Sequence, residues 1–142
     1  MKPILTSPHM GNTYIAVRAF LETMKCKYLP PPRTSRRTIE LGVQHSPEFA
    51  CFPYKVTLGN MIEALERGAE VILMAAGKRG LCRLAYYHVL QKRTLKDLGF
   101  DFEMVPLGAN IWDVLFHKLK LWSEDSSHYL SRLIKATRIT FK

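Results

Sequence analysis

The sequence predicts an α/β domain: a Rossmann-like parallel sheet of about four strands flanked by helices, with two extra C-terminal helices. Three observations carry this expectation. Short apolar segments alternate with longer stretches whose apolar residues recur at helical spacing. The segment Glu70-Val71-Ile72-Leu73-Met74-Ala75 is almost continuously apolar, as a strand covered on both faces would be. Gly68 and Gly99 stand where two of the helical stretches stop, the place for a C-terminal cap.

Taken in order, Pro3 to Ser7 reads as a short buried strand. Asn12 to Lys25 is helical, with Ala16, Ala19, Phe20, Thr23 and Met24 on one face. Cys26 to Leu29 reads as a strand cut off by Pro30-Pro31-Pro32. Lys55 to Arg67 repeats Leu58, Met61, Ile62 and Leu65 at helix spacing, and leads through Gly68 into the Glu70–Ala75 strand. Leu84 to Leu98 is helical through Leu84, Tyr87, Leu90 and Leu98. Phe100 to Val105 alternates, which suits a strand at the edge of the sheet. Beyond Pro106 the pattern changes to two amphipathic stripes. The first is Ile111, Val114, Leu115, Leu119 and Trp122; the second is Leu130, Leu133, Ile134 and Thr137, and a polar break at Ser123 to Ser127 separates them. The expected organisation is therefore an α/β domain over 1–108 and a helical extension over 109–142 that begins a larger second part.

The 142 residues suit one core of moderate size. Apolar residues make up 47% and charged residues 23%, a balance that excludes a disordered chain. No apolar run is long enough to cross a bilayer, so a membrane is not expected as a partner. The brief apolar start after Lys2, broken by Pro3, is a strand rather than an export signal. The expected compartment is the cytoplasm, where thiols stay reduced. Net charge is +9, concentrated in two acid-free stretches, Thr23–Ile39 and Lys78–Lys96. Such stretches favour anionic partners, although lysines and arginines that only keep a surface soluble give the same count.

In parallel α/β sheets, ligands sit beyond the carboxyl ends of the strands. That edge would carry His9 in the first loop and Gly77, Lys78, Arg79 and Gly80 in the third. Gly11, Gly77 and Gly80 allow close approach of backbone to a ligand, but their spacing fits neither the dinucleotide fingerprint nor the phosphate-binding P-loop. Two cysteines have a setting suited to thiolates. Cys51 precedes a helix whose first turn holds Lys55, and Cys82 lies at the next helix start between Arg79 and Arg83. Such a setting suits an anionic thiolate-bound cluster. Spacing alone leaves inert structural thiols open, because there is neither a Cys-x-x-Cys pair nor a Cys/His quartet. Cys26, between two lysines, reads as a small packing residue. Glu48, three residues before Cys51, is the one candidate acid–base group; capping of nearby backbone amides is its competing role.

The run from Pro30 to Val43, then Ser46-Pro47-Glu48-Phe49-Ala50-Cys51-Phe52-Pro53-Tyr54-Lys55-Val56-Thr57-Leu58-Gly59-Asn60, resembles the acyl-CoA dehydratase activase-related family, akin to 2-hydroxyacyl-CoA dehydratase subunits. Pro8-His9-Met10-Gly11-Asn12 and Gly80-Leu81-Cys82-Arg83-Leu84-Ala85-Tyr86-Tyr87 follow the same pattern in the same order, so the resemblance spans roughly the first 107 residues. It implies a [4Fe-4S] cluster held by cysteines on Rossmann-like domains, with an ATP-dependent activase as electron donor for radical dehydration of 2-hydroxyacyl-CoA, a lyase reaction. In that pattern Cys51 and Cys82 correspond to the first two cluster ligands. The third belongs to a later part of longer relatives, and no cysteine follows Cys82 here. Leu81 and Leu84-Ala85 also replace the proline and the Phe-Gly pair that relatives more often carry. The implied partner is a second subunit or a further C-terminal domain that supplies the remaining ligands. Arg79, Arg83, Lys55, Gly77, Gly80 and His9 would surround the cluster or an anionic ligand.

The competing expectation is a non-enzymatic α/β module that binds the phosphate of a nucleotide or of coenzyme A, or docks a partner protein. Nucleic acid is not expected, since the basic segments carry no reader motif and no stacking array of aromatic residues.

Overall fold

A computed structural model of the chain describes residues 2–76, 83–108, 111–125 and 127–140. It is a mixed α/β fold around a small parallel sheet. The elements run β1 (Leu5–Thr6), α1 (Thr13–Thr23), α2 (Arg36–His45), α3 (Phe52–Glu66), β2 (Val71–Ala75), α4 (Leu84–Asp97) and β3 (Glu103–Leu107). After β3 come α5 (Ile111–Asp113), a π-helical turn (Val114–Lys118), α6 (Leu119–Trp122) and α7 (Tyr129–Thr140).

Among the described residues the sheet has three strands, in the order β1-β2-β3, and all are parallel. About four were expected. The missing one is the Cys26–Leu29 segment, which makes a single parallel bridge between Tyr28 and Leu5. Its ladder starts normally: the Leu5 amide donates to the Lys27 carbonyl at 2.9 Å, and the Leu29 amide to the Leu5 carbonyl at 2.8 Å. It cannot continue. The Leu29 carbonyl is taken by the Thr6 hydroxyl at 2.9 Å, and the next donor in register would be residue 31, a proline without an N–H.

β2 is the centre of the molecule. Val71 and Leu73 point into one core with Leu5, Leu21, Met24 and Val105, and Ile72 and Met74 point into the other with Leu58, Met61, Leu95 and Met104. This two-faced burial is the physical reason for the unbroken apolar run. The first core is closed by Val114, Leu119 and Trp122 of the segment after β3, and by Tyr129, Leu133 and Ala136 of α7. The first C-terminal stripe therefore faces the sheet through Val114, Leu119 and Trp122, whereas the second is turned: α7 buries Tyr129, Leu133 and Ala136, and Leu130 and Ile134 of the expected stripe are exposed. β3 lies at the sheet edge, as its alternation suggested, although the strand starts three residues later, at Glu103. Gly68 and Gly99 sit at φ +92° and +87° just past α3 and α4.

The periodicity gave no sign of α2. Its contact with α3 is made by small residues rather than by an apolar stripe. A Cβ on Gly42 would fall inside the Lys55 carbonyl, and one on Gly59 inside the Thr38 carbonyl. The helix starts at a reciprocal cap: the Ser35 hydroxyl accepts from the Thr38 amide at 3.3 Å, and the Thr38 hydroxyl accepts from the Ser35 amide at 3.0 Å. Thr38 also donates to the buried Glu63 carboxylate at 2.6 Å, and Arg37 pairs with Glu66 at 2.8 Å.

Because each added methyl must push two helix backbones apart, Gly59→Ala and Gly42→Ala should each cost about 1–3 kcal/mol in urea unfolding. The double variant should cost less than the sum, since one separation of α2 from α3 accommodates both methyls. Full additivity in the same experiment would mean that the two contacts relax independently.

Candidate functional site

The site begins with the way α3 starts. Cys51 is its N-cap, in extended conformation, and a proline occupies the first turn, where no intrahelical N–H is needed. The Tyr54 and Lys55 amides donate to the Cys51 carbonyl at 3.0 and 3.3 Å, which fixes the residue at the positive end of a helix of 15 residues. The turn before it is closed by the Ala50 amide on the Pro47 carbonyl at 3.0 Å. The Cys51 thiol is exposed.

Tyr87, on the first turn of α4, reaches this thiol. Its hydroxyl lies 2.5 Å from the Cys51 sulfur, and once the sulfur is a thiolate only the tyrosine can donate. The ring is held in place by an edge-on contact with Tyr54, centroid to centroid 4.8 Å. Below the rings, the buried Gln91 amide of α4 donates to the Tyr54 carbonyl at 3.3 Å and to the Thr57 hydroxyl at 2.7 Å, locking α4 onto α3.

The Tyr87 hydroxyl is the main reason that the Cys51 thiol titrates below the ordinary cysteine value; slight burial opposes it. The Tyr54 and Cys51 amides favour the anion further, short of a full capping hydrogen bond, and so does the positive charge of Arg83. Cys26 behaves in the opposite way. Burial pushes it up to about 11, and its sulfur faces only the Met24 and Leu119 carbonyls at 3.9 Å. It is a packing residue of the first core.

Next to Ala50 and Tyr87 lies a pocket of about 190 Å³, lined also by Phe49, Tyr54, Arg83, Tyr86 and Leu90. Phe49 and Tyr86, which line it, are exposed by 76% and 61%. The site thus joins a cysteine thiol, the Tyr87 hydroxyl and the Arg83 cation next to an apolar pocket. It can hold a soft metal or attack an electrophile.

Of the residues singled out from sequence, Cys51 and Arg83 come together here. Cys82, Gly77, Arg79 and Gly80 lie outside the described residues. Lys55 contributes its backbone amide, while the side-chain charge acting on the thiol is that of Arg83. Glu48 stands exposed on the Pro47–Ala50 turn and lines no part of the pocket. His9 belongs to a different place. Its amide donates to the Asn60 side chain at 3.3 Å and its ring lies 5.1 Å from Tyr14. Asn60 is nine residues along α3 from Cys51, about 13 Å along the axis. Sequence reasoning assigned Tyr87 to the core stripe alone; it serves both core and thiol. The available signal was its position, one turn after Arg83, on the same helix start that carries the cationic residue.

Among the described residues, no group of three His, Cys, Asp or Glu side chains gathers in the manner of a metal site, and no helix is long and apolar enough to cross a membrane. Comparison with known proteins finds no matching family model, no matching curated protein and no matching solved structure.

The thiol chemistry gives a direct prediction. Alkylation of Cys51 by iodoacetamide should follow a pH profile whose midpoint lies below that of an ordinary cysteine, while Cys26 stays unreactive until the protein unfolds. Tyr87→Phe should move the Cys51 midpoint upward and slow alkylation at neutral pH. An unchanged profile would remove the hydroxyl from this role.

Proposed function

We propose that the chain is an iron–sulfur-binding domain of the acyl-CoA dehydratase/activase-related kind, with a Rossmann-like layout, in which Cys51 and Cys82 supply two thiolates of a [4Fe-4S] site. The observation that carries the reading is the setting of Cys51: an exposed sulfur at a helix N-terminus, hydrogen-bonded by Tyr87 and beside Arg83. Arg83 directly follows Cys82 in the chain, so the residue that acts on one thiol is the neighbour of the other. The sequence resemblance over the first 107 or so residues supports the same pairing.

Cys51 fits one ligand of such a group, and Cys82, the second ligand of the proposal, lies outside the described residues. Cys51 would offer its sulfur from a fixed helix start, Tyr87 would donate a hydrogen bond to that sulfur, and Arg83 would offset negative charge. Phe49, Tyr54 and Leu90 would keep water from one side of the pocket. The cluster, when bound, supplies one-electron transfer tuned by its charge and by hydrogen bonds to its sulfurs. The remaining ligands come from a second subunit or a further domain, and electrons from an ATP-dependent activase. The reaction served is electron transfer or radical dehydration of a 2-hydroxyacyl-CoA.

Anaerobic iron–sulfide reconstitution of the chain should give a brown protein with broad visible absorption, weakened in Cys51→Ala and in Cys82→Ala. A colourless, iron-free product overturns the reading. In that case calorimetric binding of ATP or coenzyme A that survives both substitutions would identify a phosphate-binding module without a cluster.

A further inference from the structure

The opposite face of the sheet holds a feature that the thiol site does not use. Between α1, the sheet and the C-terminal helices lies a partly enclosed space of about 370 Å³. Its wall comes from six parts of the fold: Val17 and Phe20 on α1, Leu73 on β2, Leu107 on β3, Leu115 in the π-helical turn, Leu119 on α6 and Thr137 on α7. Protein cores rarely leave voids much larger than a water molecule. An apolar cavity of roughly 150 Å³ already admits benzene.

The wall offers no polar partner. The one hydroxyl in it, that of Thr137, donates to carbonyls of its own helix, Leu133 at 3.0 Å and Ile134 at 2.9 Å. Water needs two to four polar partners to settle in such a space, so hydrocarbon is the better occupant. A second observation concerns the wall itself. Val114–Lys118 is π-helical, a rare wide turn that is frequent at functional sites. The Tyr129 hydroxyl donates to the Leu115 carbonyl, which pins this turn from the α7 side.

We infer that this space is a binding site for an aliphatic hydrocarbon group, the alkyl chain of an amphiphile whose polar head stays outside. The site is independent of the Cys51 centre: its strand residue, Leu73, faces the first core, whereas Tyr54 and Tyr87 belong to the second.

Dodecanoic acid is the probe, titrated into the full chain with the isoleucine, leucine and valine methyl groups followed by NMR. Saturable shifts of the Val17, Leu73, Leu107 and Leu115 methyls are expected. Ala16→Phe, which places a ring in the space from α1, should weaken binding by at least about tenfold. Val17→Phe serves the same purpose should the first variant lose its native circular dichroism. Thr137→Val should bind as the parent does, because the hydroxyl is not offered to the ligand. The inference is overturned by binding that is undiminished in folded Ala16→Phe or Val17→Phe, by the absence of saturable shifts, or by shifts confined to the exposed Leu130 and Ile134.

Discussion

Everything in this molecule is arranged around a strand that cannot touch water. β2 presents Val71 and Leu73 to one side and Ile72 and Met74 to the other, and each set needs its own cover. Helices supply it: α1, α6 and α7 on one face, α3 and α4 on the other. Burial of apolar area is worth roughly 25 cal/mol per Å², and a central strand with two covered faces collects it twice. Once β2 is central, the directions of α3 and α4 are constrained as well. One must deliver the chain to the start of the strand and the other must leave from its end, so α3 begins and α4 begins toward the same end of the sheet. Cys51 and Tyr87 meet because of that constraint.

The seam between α3 and α4 shows how a reactive group is fixed without strain. Gln91, wholly buried, spends its side-chain amide on α3, and Tyr54 and Tyr87 pack edge to face above it. These contacts belong to the core, yet they set the position of the hydroxyl that governs the thiol. Burial pushes the Tyr54 phenol up, the opposite direction from the Cys51 thiol. On the other side of α3, the glycine contacts with α2 hold the helix at a spacing that only residues without a Cβ allow. The helix that presents Cys51 is therefore gripped along its length.

Much of the fold was legible because the hydrophobic period is strong where packing is strong. In α3 and the first C-terminal stripe, residues such as Leu58, Met61 and Leu119 are buried as their spacing implies; in α4 and α7 the helices were legible but the buried face was not, since Leu90, Leu98, Leu130 and Ile134 are exposed while Leu95 and Ala136 are buried. What was hidden is what does not depend on hydrophobicity. α2 is held by Gly42, Gly59 and a Ser35–Thr38 cap, and its sequence is mostly polar. The fourth strand failed because Pro31 cannot donate and Thr6 takes the carbonyl next in register, a conflict visible only once the register is known. In the site, the helix N-terminus under Cys51 and the cation at Arg83 could be read from the chain. The phenol at Tyr87 was obscured by its membership of a core stripe, and only its position one turn after Arg83 pointed to the site. His9, in a loop beyond a strand's carboxyl end, has its amide on Asn60, nine residues along α3 from Cys51.

The cover of the first core arrives late in the chain. By Leu107 the strands and α1 are all present in sequence, but Val114, Leu119, Trp122, Leu133 and Ala136 are still to come. The Ser123 hydroxyl that later donates to the Met24 carbonyl at 2.7 Å, and the Glu124 amide that donates to the Lys25 carbonyl at 3.0 Å, also come from beyond that point. On the ribosome, the emerging chain thus passes through an interval in which Leu5, Val71, Leu73 and Val105 form an open greasy plane with α1 alone to shield it. Such surfaces attract chaperones and other nascent chains. The vulnerable moment in the life of this protein is its synthesis.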